Sequence, residues 1–250
     1  METVYGYEQY ALARTAFRRF AFKTFGSYDL GARVRYAAVE RELARLAPPG
    51  RVLDAGSGKG QLSFALARRW PGAAVVGVDN DVAGIDHARA VAAIAAPAAH
   101  VTFVHATLPL AFEERFDLVV SVDVLEHVDD DVAFVSGLAA ATAPDGRLIL
   151  HVPAAGQRRY LAHFEEQHDH VRDGYAPRDL AALLERAGYR DIVLRPTFGA
   201  LGAIGWEGFA LSRAGNPLAR LLLPLWYALS ALDTRRIPRR GNGILATARR

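Results

Sequence analysis

The run Asp54-Ala55-Gly56-Ser57-Gly58-Lys59-Gly60 places glycine at every second position behind a carboxylate, and a second carboxylate, Asp79, follows Gly58 by 21 residues. Glycines at 56, 58 and 60 admit positive φ and let a ligand come close to the backbone; a helix starting behind them would present free N–H groups. The spacing is G-x-G-x-G. Gln61 stands where a dinucleotide-binding turn has its third glycine, and Lys59 is followed by Gly60 rather than Ser or Thr, which excludes a P-loop. A carboxylate at 79 can accept both hydroxyls of a ribose. One at 54 can accept from an ammonium group, or hold the loop through backbone N–H groups, and would repel a pyrophosphate. The pair suits a nucleoside with a cationic tail, and S-adenosylmethionine has that shape.

The elements that position these residues follow from the pattern around them. Residues 51–54 read as a strand entering the turn, 61–70 as a helix, 75–79 as a strand, 82–96 as an Ala-rich helix, and 101–105 and 116–121 as two further strands. A helix over 130–143, a fifth strand over 146–152, a helix over 177–187 and two last strands over 192–196 and 244–248 complete the series. Strands alternating with helices mean right-handed βαβ units and a mostly parallel α/β sheet, with ligands at the carboxyl ends of its strands. Helices are also predicted over 5–25, where aromatics sit among Arg14, Arg18, Arg19 and Lys23, and over 33–46, closed by Pro48, Pro49 and Gly50. The expected division is a helical N-terminal extension over 1–49 and an α/β domain over 50–250.

In this order, the segments Val52-Leu53-Asp54-Ala55-Gly56-Ser57-Gly58-Lys59-Gly60, Val76-Gly77-Val78-Asp79, Phe116-Asp117-Leu118-Val119-Val120-Ser121, Val124-Leu125-Glu126-His127-Val128 and Asp145-Gly146-Arg147-Leu148-Ile149-Leu150 resemble the class I S-adenosylmethionine-dependent methyltransferases, especially those acting on small molecules and lipids. The resemblance covers roughly residues 50–195. It implies a Rossmann-like, seven-stranded, mostly parallel sheet with an antiparallel last strand. It also implies that Asp54, Gly56, Ser57, Gly58 and Gly60 hold the methionine part, Asp79 and Asn80 the ribose, and His105 and Ala106 the adenine, with Ser121 beside the methionyl group. Many members have Asp where this chain has His105.

Methyl transfer is an in-line displacement that needs a base only when the nucleophile must lose a proton. Histidines are the candidates by position: His170, which with Tyr175 resembles a pair found in the family before the helix at 177; His151 on strand five; and His127 after strand four. His163 and His168 are weaker candidates. Asp123, Glu126 and His127 are similar to a divalent-metal site of ubiquinone-type O-methyltransferases, with Asp123 where those have Glu. The competing reading, preferred here, gives Glu126 and His127 a role in shaping the loop and assigns no metal.

About 47 residues, 197–243, separate the last two predicted strands, too many for a plain connection. They read as helices over 199–211 and 217–232 followed by Arg235, Arg236, Arg239 and Arg240. A cap over the acceptor, a membrane-surface helix and a packed helix or dimer contact are the three readings. The formal charge of +3 divides into +3 over residues 1–50, −6 over 51–198 and +6 over 199–250, so the basic excess lies outside the glycine-turn region. The absence of cysteine excludes thiolate nucleophiles, disulfides and Cys-ligated metals. The longest apolar run, 221–232, is shorter than the roughly 20 residues of a membrane span and contains Pro224. No apolar signal-peptide core is visible. The expectation is a cytoplasmic chain, with surface contact to a membrane as the second reading.

The expected activity is methyl transfer from S-adenosylmethionine to a small-molecule or lipid-like acceptor, at oxygen. Nucleic acid is set aside because Ser121-Val122-Asp123-Val124 replaces any N-P-P-Y-like tetrapeptide and the basic residues form no strip through the core. The alternatives are a nicotinamide-dependent oxidoreductase on a related fold and a non-catalytic cofactor-binding protein. Oligomeric state is left open.

Overall fold

Seven apolar stretches pair into one sheet: β1 (Arg51–Ala55), β2 (Ala74–Asp79), β3 (Val101–His105), β4 (Phe116–Val122), β5 (Thr142–Pro153), β6 (Arg190–Thr197) and β7 (Gly243–Arg249). Their order is β3-β2-β1-β4-β5-β7-β6. The first five run parallel, and β7 is antiparallel to both β5 and β6. The computed structural model describes residues 29–94, 100–161 and 171–250. The predicted helix over 5–25 and the segment holding His163, His168 and His170 lie outside the described residues.

Around the sheet lie α1 (Leu30–Leu43), α2 (Gln61–Arg69), α3 (Val82–Ile94), α4 (Asp131–Ala141) and α5 (Pro177–Arg186). Successive strand residues face opposite layers. Leu53 and Val119 join Phe134, Leu138 and Leu184 on one side, while Val52 and Val120 join Leu62, Leu66 and Val39 on the other. Each fully buried Leu or Phe contributes about 1.5–3 kcal/mol. Because β1 is covered on both faces and paired on both edges, its carboxyl end is fixed from four directions. The winding direction switches between β1 and β4, the place where such sheets open a crevice.

The last connection holds α6 (Ala200–Arg213), α7 (Pro217–Leu221) and α8 (Leu223–Asp233). The single helix predicted over 217–232 is broken at Leu222, since Pro224 has no N–H to give the Arg220 carbonyl. Gly202, Gly205 and Gly208 bring α6 and α8 into close approach. A Cβ at Gly205 would lie 2.4 Å from Ser230 Oγ, and one at Gly208 would lie 2.3 Å from the Trp226 ring. β5 starts at Thr142 rather than at 146. Its register against β4 shifts between Phe116 and Leu118, and Asp145 takes φ 60° in the added turn. The helix predicted over 33–46 starts at Leu30 instead, where Asp29 Oδ1 accepts from Ala32 N at 3.0 Å as an N-cap.

Candidate active site

The glycine turn is folded by backbone bonds onto β2. Gly56 N and Ser57 N both donate to Val78 O, at 2.8 and 3.0 Å, and Gly60 N donates to Ser57 O. Glycines 56, 58 and 60 all have positive φ, at 85°, 50° and 79°. At Gly56 a side chain is also blocked by Val124, 2.1 Å from the Cβ position, whereas a Cβ at Gly58 meets nothing within 4 Å. A Cβ at Gly60 would lie 2.6 Å from the Phe103 ring, so the turn is packed at both ends and open in the middle.

Of the two roles considered for Asp54, holding the loop falls to Asp79. Asp79 holds the turn: its Oδ2 accepts from Gly58 N at 2.7 Å and its Oδ1 from Asp81 N at 2.8 Å. Asp54 is only 2% exposed and accepts from the Ser63 hydroxyl at 2.6 Å, in the first turn of α2. Burial pushes its carboxyl up to about 7, against the opposing pull of Ser63. A buried acid poised near neutrality gains most from a nearby cation. Asn80 is exposed and its carbonyl faces His105 Nε2 at 3.2 Å, so the His105 side chain turns toward the β2 end; Ala106 N donates to Asp79 O at 3.0 Å. Ser57 Oγ and Ser121 Oγ are buried without a hydrogen-bond partner among the described residues. Such orphaned oxygens fit a polar ligand against the strand ends.

Beyond β4 a second group forms. Asp123 takes φ 52°, a conformation that costs a non-glycine residue about 1–3 kcal/mol. Two partners hold it there: Arg35 of α1 donates to Oδ2 at 2.5 Å, and His151 Nδ1 of β5 lies 2.5 Å from Oδ1. Burial works against the charge on Asp123, but Arg35 and His151 outweigh it and hold the carboxyl well below the usual range. An ionised carboxylate only accepts, so Nδ1 of His151 is the donor in this pair, and in the neutral imidazole Nε2 is then the acceptor. That nitrogen sits 2.8 Å from Thr197 Oγ1, across Gly243, where a Cβ would come 2.8 Å from Nε2. Glu126 is 1% exposed with Oε2 unpartnered among the described residues, and burial and the neighbouring Asp123 charge push it up to about 8.

This group floors a cavity of about 700 Å³ whose lining also includes Tyr36 of α1, His127, Arg159, and Phe198, Trp206 and Phe209 at the start of and along α6. The insertion thus forms part of its wall. Fully buried Glu207 on α6 accepts from the backbone N–H groups of Tyr160 and Leu161, tying the segment after β5 to the same helix. Tyr175 is buried, its hydroxyl between Arg172 at 2.7 Å and Asp131 at 3.1 Å. Both oxygens of Asp123 are occupied by side chains, and no group of three or more metal-ligating side chains occurs among the described residues.

The structure therefore brings together Asp54, Gly56, Ser57, Gly58, Gly60, Asp79, Asn80, His105, Ala106 and Ser121 at the carboxyl ends of β1 to β4. It separates from them His151, which is buried, and His127, which is exposed, both lining the cavity. His170 lies outside the described residues. Arg35, Thr197 and the partnership of Asp123 with His151 were missed. The positive φ of Asp123 leaves no mark in sequence, and the α6 glycines at 202, 205 and 208 were an available signal of close helix packing.

A family model described as a methyltransferase domain matches residues 28–194. A trans-aconitate 2-methyltransferase of Streptomyces coelicolor is 34% identical over 43% of this chain and 36% of its own length. A ubiquinone biosynthesis O-methyltransferase of Xanthomonas euvesicatoria is 32% identical over 62% of this chain and 67% of its own. The chain thus spans about a third of the first relative and two thirds of the second. Among solved structures, the cyclase SpnF superposes with a TM-score of 0.62 at 18% identity, covering 88% of this chain and 82% of that one, a likeness of fold. Neither alternative activity finds a counterpart in these matches. With a glycine turn closed by Asp79, a sheet of this order and a family match over most of the sheet, the chain belongs to the class I S-adenosylmethionine-dependent methyltransferases.

Proposed function

We propose that the protein transfers a methyl group from S-adenosylmethionine to a hydroxyl or carboxyl oxygen of a small, partly apolar acceptor lodged under the insertion. The observation that carries this reading is the hydrogen-bonded chain Arg35–Asp123–His151, backed by Thr197, in the floor of a cavity roofed by Phe198, Trp206 and Phe209. When bound, the cofactor supplies an electrophilic methyl on a sulfonium and leaves as S-adenosylhomocysteine. On the protein side, Asp54 faces the cationic end and Asp79, with lone pairs left beyond its two backbone donors, takes the ribose. The main chain at Gly58 lies open beside them, and Ser57 and Ser121 supply the unused hydroxyls.

On the acceptor side, His151 is the proton-accepting group. As the Thr197 hydroxyl turns away from Nε2, the acceptor O–H bond breaks, its proton passes to that nitrogen, and the new imidazolium is stabilised by ionised Asp123, itself oriented by Arg35. Base assistance of this kind contributes roughly 10²–10⁴ in rate. The aromatic roof excludes water and selects an apolar body. The likeness to relatives named for O-methyl transfer supports oxygen as the target. No described helix is long and apolar enough to cross a membrane. An apolar acceptor would reach the cavity from solution or from a membrane surface, and the exposed Leu218, Leu221 and Leu225 beside Arg220 favour the surface route.

The test is to supply S-adenosylmethionine carrying a ¹³C-methyl group with phenols, carboxylic acids and amines of graded chain length. The methylated atom is then read by NMR. The expected product is an O-methyl ether or ester from the longer apolar acceptors; an N-methyl or C-methyl product, or preference for short polar acceptors, overturns the reading.

A further inference from the structure

A second cavity, of about 490 Å³, lies on the other side of a thin wall from the first. Phe198, Asn242 and Gly243 line both. Its apolar surface comes from residues such as Tyr175, Leu194 and Ile244, while Arg158, Arg239 and Arg240 bring positive charge to it. Among the described residues no Asp or Glu lines it. Arg195, which also borders it, is engaged with Glu42 at 3.4 Å. The guanidinium groups of Arg158, Arg239 and Arg240 make no hydrogen bond or ion pair among the described residues.

The position of this charge is built rather than incidental. Asn242 clamps the backbone of Arg158 from both sides, its Oδ1 accepting from Arg158 N at 2.9 Å and its Nδ2 donating to Arg158 O at 2.8 Å. Asn242 is in turn fixed by its own backbone, N donating to Phe198 O and O accepting from Ala154 N, both at 2.9 Å. Of the four arginines that end the insertion, Arg239 and Arg240 line the cavity and Arg235 and Arg236 do not. Uncompensated guanidinium groups gathered at one concavity repel one another, and their planar donor forks match the oxygens of a carboxylate or phosphate. A gathering of three favours a dianion over a monoanion. The apolar surface beside them favours an organic group attached to it, and the volume is that of an ordinary small-ligand site.

We propose that this cavity binds an organic phosphate monoester, at a site separate from that of methyl transfer. The proposal does not depend on which acceptor is methylated. Its test is titration calorimetry of the whole chain with phenyl phosphate, with benzyl alcohol and inorganic phosphate as partial ligands. Saturable one-to-one binding of phenyl phosphate, tighter than either partial ligand and undiminished by S-adenosylhomocysteine, is expected. A double substitution Arg239→Gln/Arg240→Gln should weaken it about tenfold or more, the loss of at least one charged hydrogen bond, as should Arg158→Gln. The charge-matched pair Arg235→Gln/Arg236→Gln should leave it within about twofold. Equal weakening by both double substitutions would reduce the effect to diffuse charge and overturn the site. Binding of vesicles containing phosphatidic acid without binding of phenyl phosphate would also overturn it, by making the arginines a membrane contact. Binding of both probes, each lost on Arg239→Gln/Arg240→Gln, would place the lipid headgroup among the monoesters the site accepts.

Discussion

The two halves of the site are built by different means. On the cofactor side, a turn of seven residues is closed by its own backbone and by one carboxylate 21 positions away. On the acceptor side, Arg35, Asp123, His151 and Thr197 come from four separate elements and meet mainly through side chains, over separations of 88, 28 and 46 positions, with one backbone bond from Asp123 N to His151 O. A binding mode shared across a family can be carried by backbone geometry, which tolerates change around it. A substrate-specific site relies on side chains, each replaceable alone, supported by whichever helix lies near.

If the halves are as separable as this, substitutions should act on one without the other. The largest expected effect is from Asp79→Ala, which removes the ribose acceptor and frees Gly58. S-adenosylmethionine affinity, measured by calorimetry, should fall about 100-fold or more, as two charge-assisted bonds are lost. His151→Ala should instead lower kcat about 100-fold while leaving cofactor affinity within about twofold. A matching loss of cofactor affinity in His151→Ala would break the comparison.

A smaller effect sharpens the account of Asp54. Its raised folded-state value, about 7, means that the carboxyl is protonated below neutrality and cannot serve a cation. Cofactor affinity should weaken by about tenfold per pH unit below 7, level off above it, and become flat in Asp54→Asn. The sign for folding is the reverse: a raised carboxyl contributes stability that is fully present below the ordinary carboxylate range and is lost as pH rises through 7. Cofactor-free protein should therefore lose stability over that interval while cofactor binding gains, and denaturant titrations with and without S-adenosylhomocysteine would read both.

The smallest effect concerns the roof. In Gly208→Ala the new methyl meets the Trp226 ring. A cost of about 1 kcal/mol, or 2–4 °C in Tm, is expected from overpacking. Acceptor KM should rise while cofactor affinity holds.

The same division explains what sequence could disclose. β1, the glycine turn, β2 and Asp79 form a local series in which periodicity and glycine spacing leave few alternatives, and β3 was placed at its observed bounds. His151 was selected by its strand position alone. Its partner Asp123 was considered for a metal only through a family resemblance, and nothing in the sequence marks it as left-handed or as facing Arg35. Asp54 and Asp79 were both picked out as candidates, yet the bond that closes the turn falls to Asp79, since which carboxylate reaches Gly58 depends on where β2 ends relative to β1. The break at Leu222 was legible in Pro224. Its effect was hidden by the leucines on both sides, which read as one continuous apolar helix.

Arg35 carries a consequence for assembly of the molecule in time. Closing an 88-residue separation to reach Asp123 costs more chain entropy than the 21-residue separation between Gly58 and Asp79, by about 1.3 kcal/mol for flexible loops. The contact also gains nothing until α1 has docked on a sheet that already contains β4 and β5. The glycine turn can thus be closed while Arg35 and Asp123 are still apart. Resting on one guanidinium from a helix ahead of the sheet, the Arg35–Asp123 contact would be lost whenever α1 undocks, with the bond from Gly58 to Asp79 still in place.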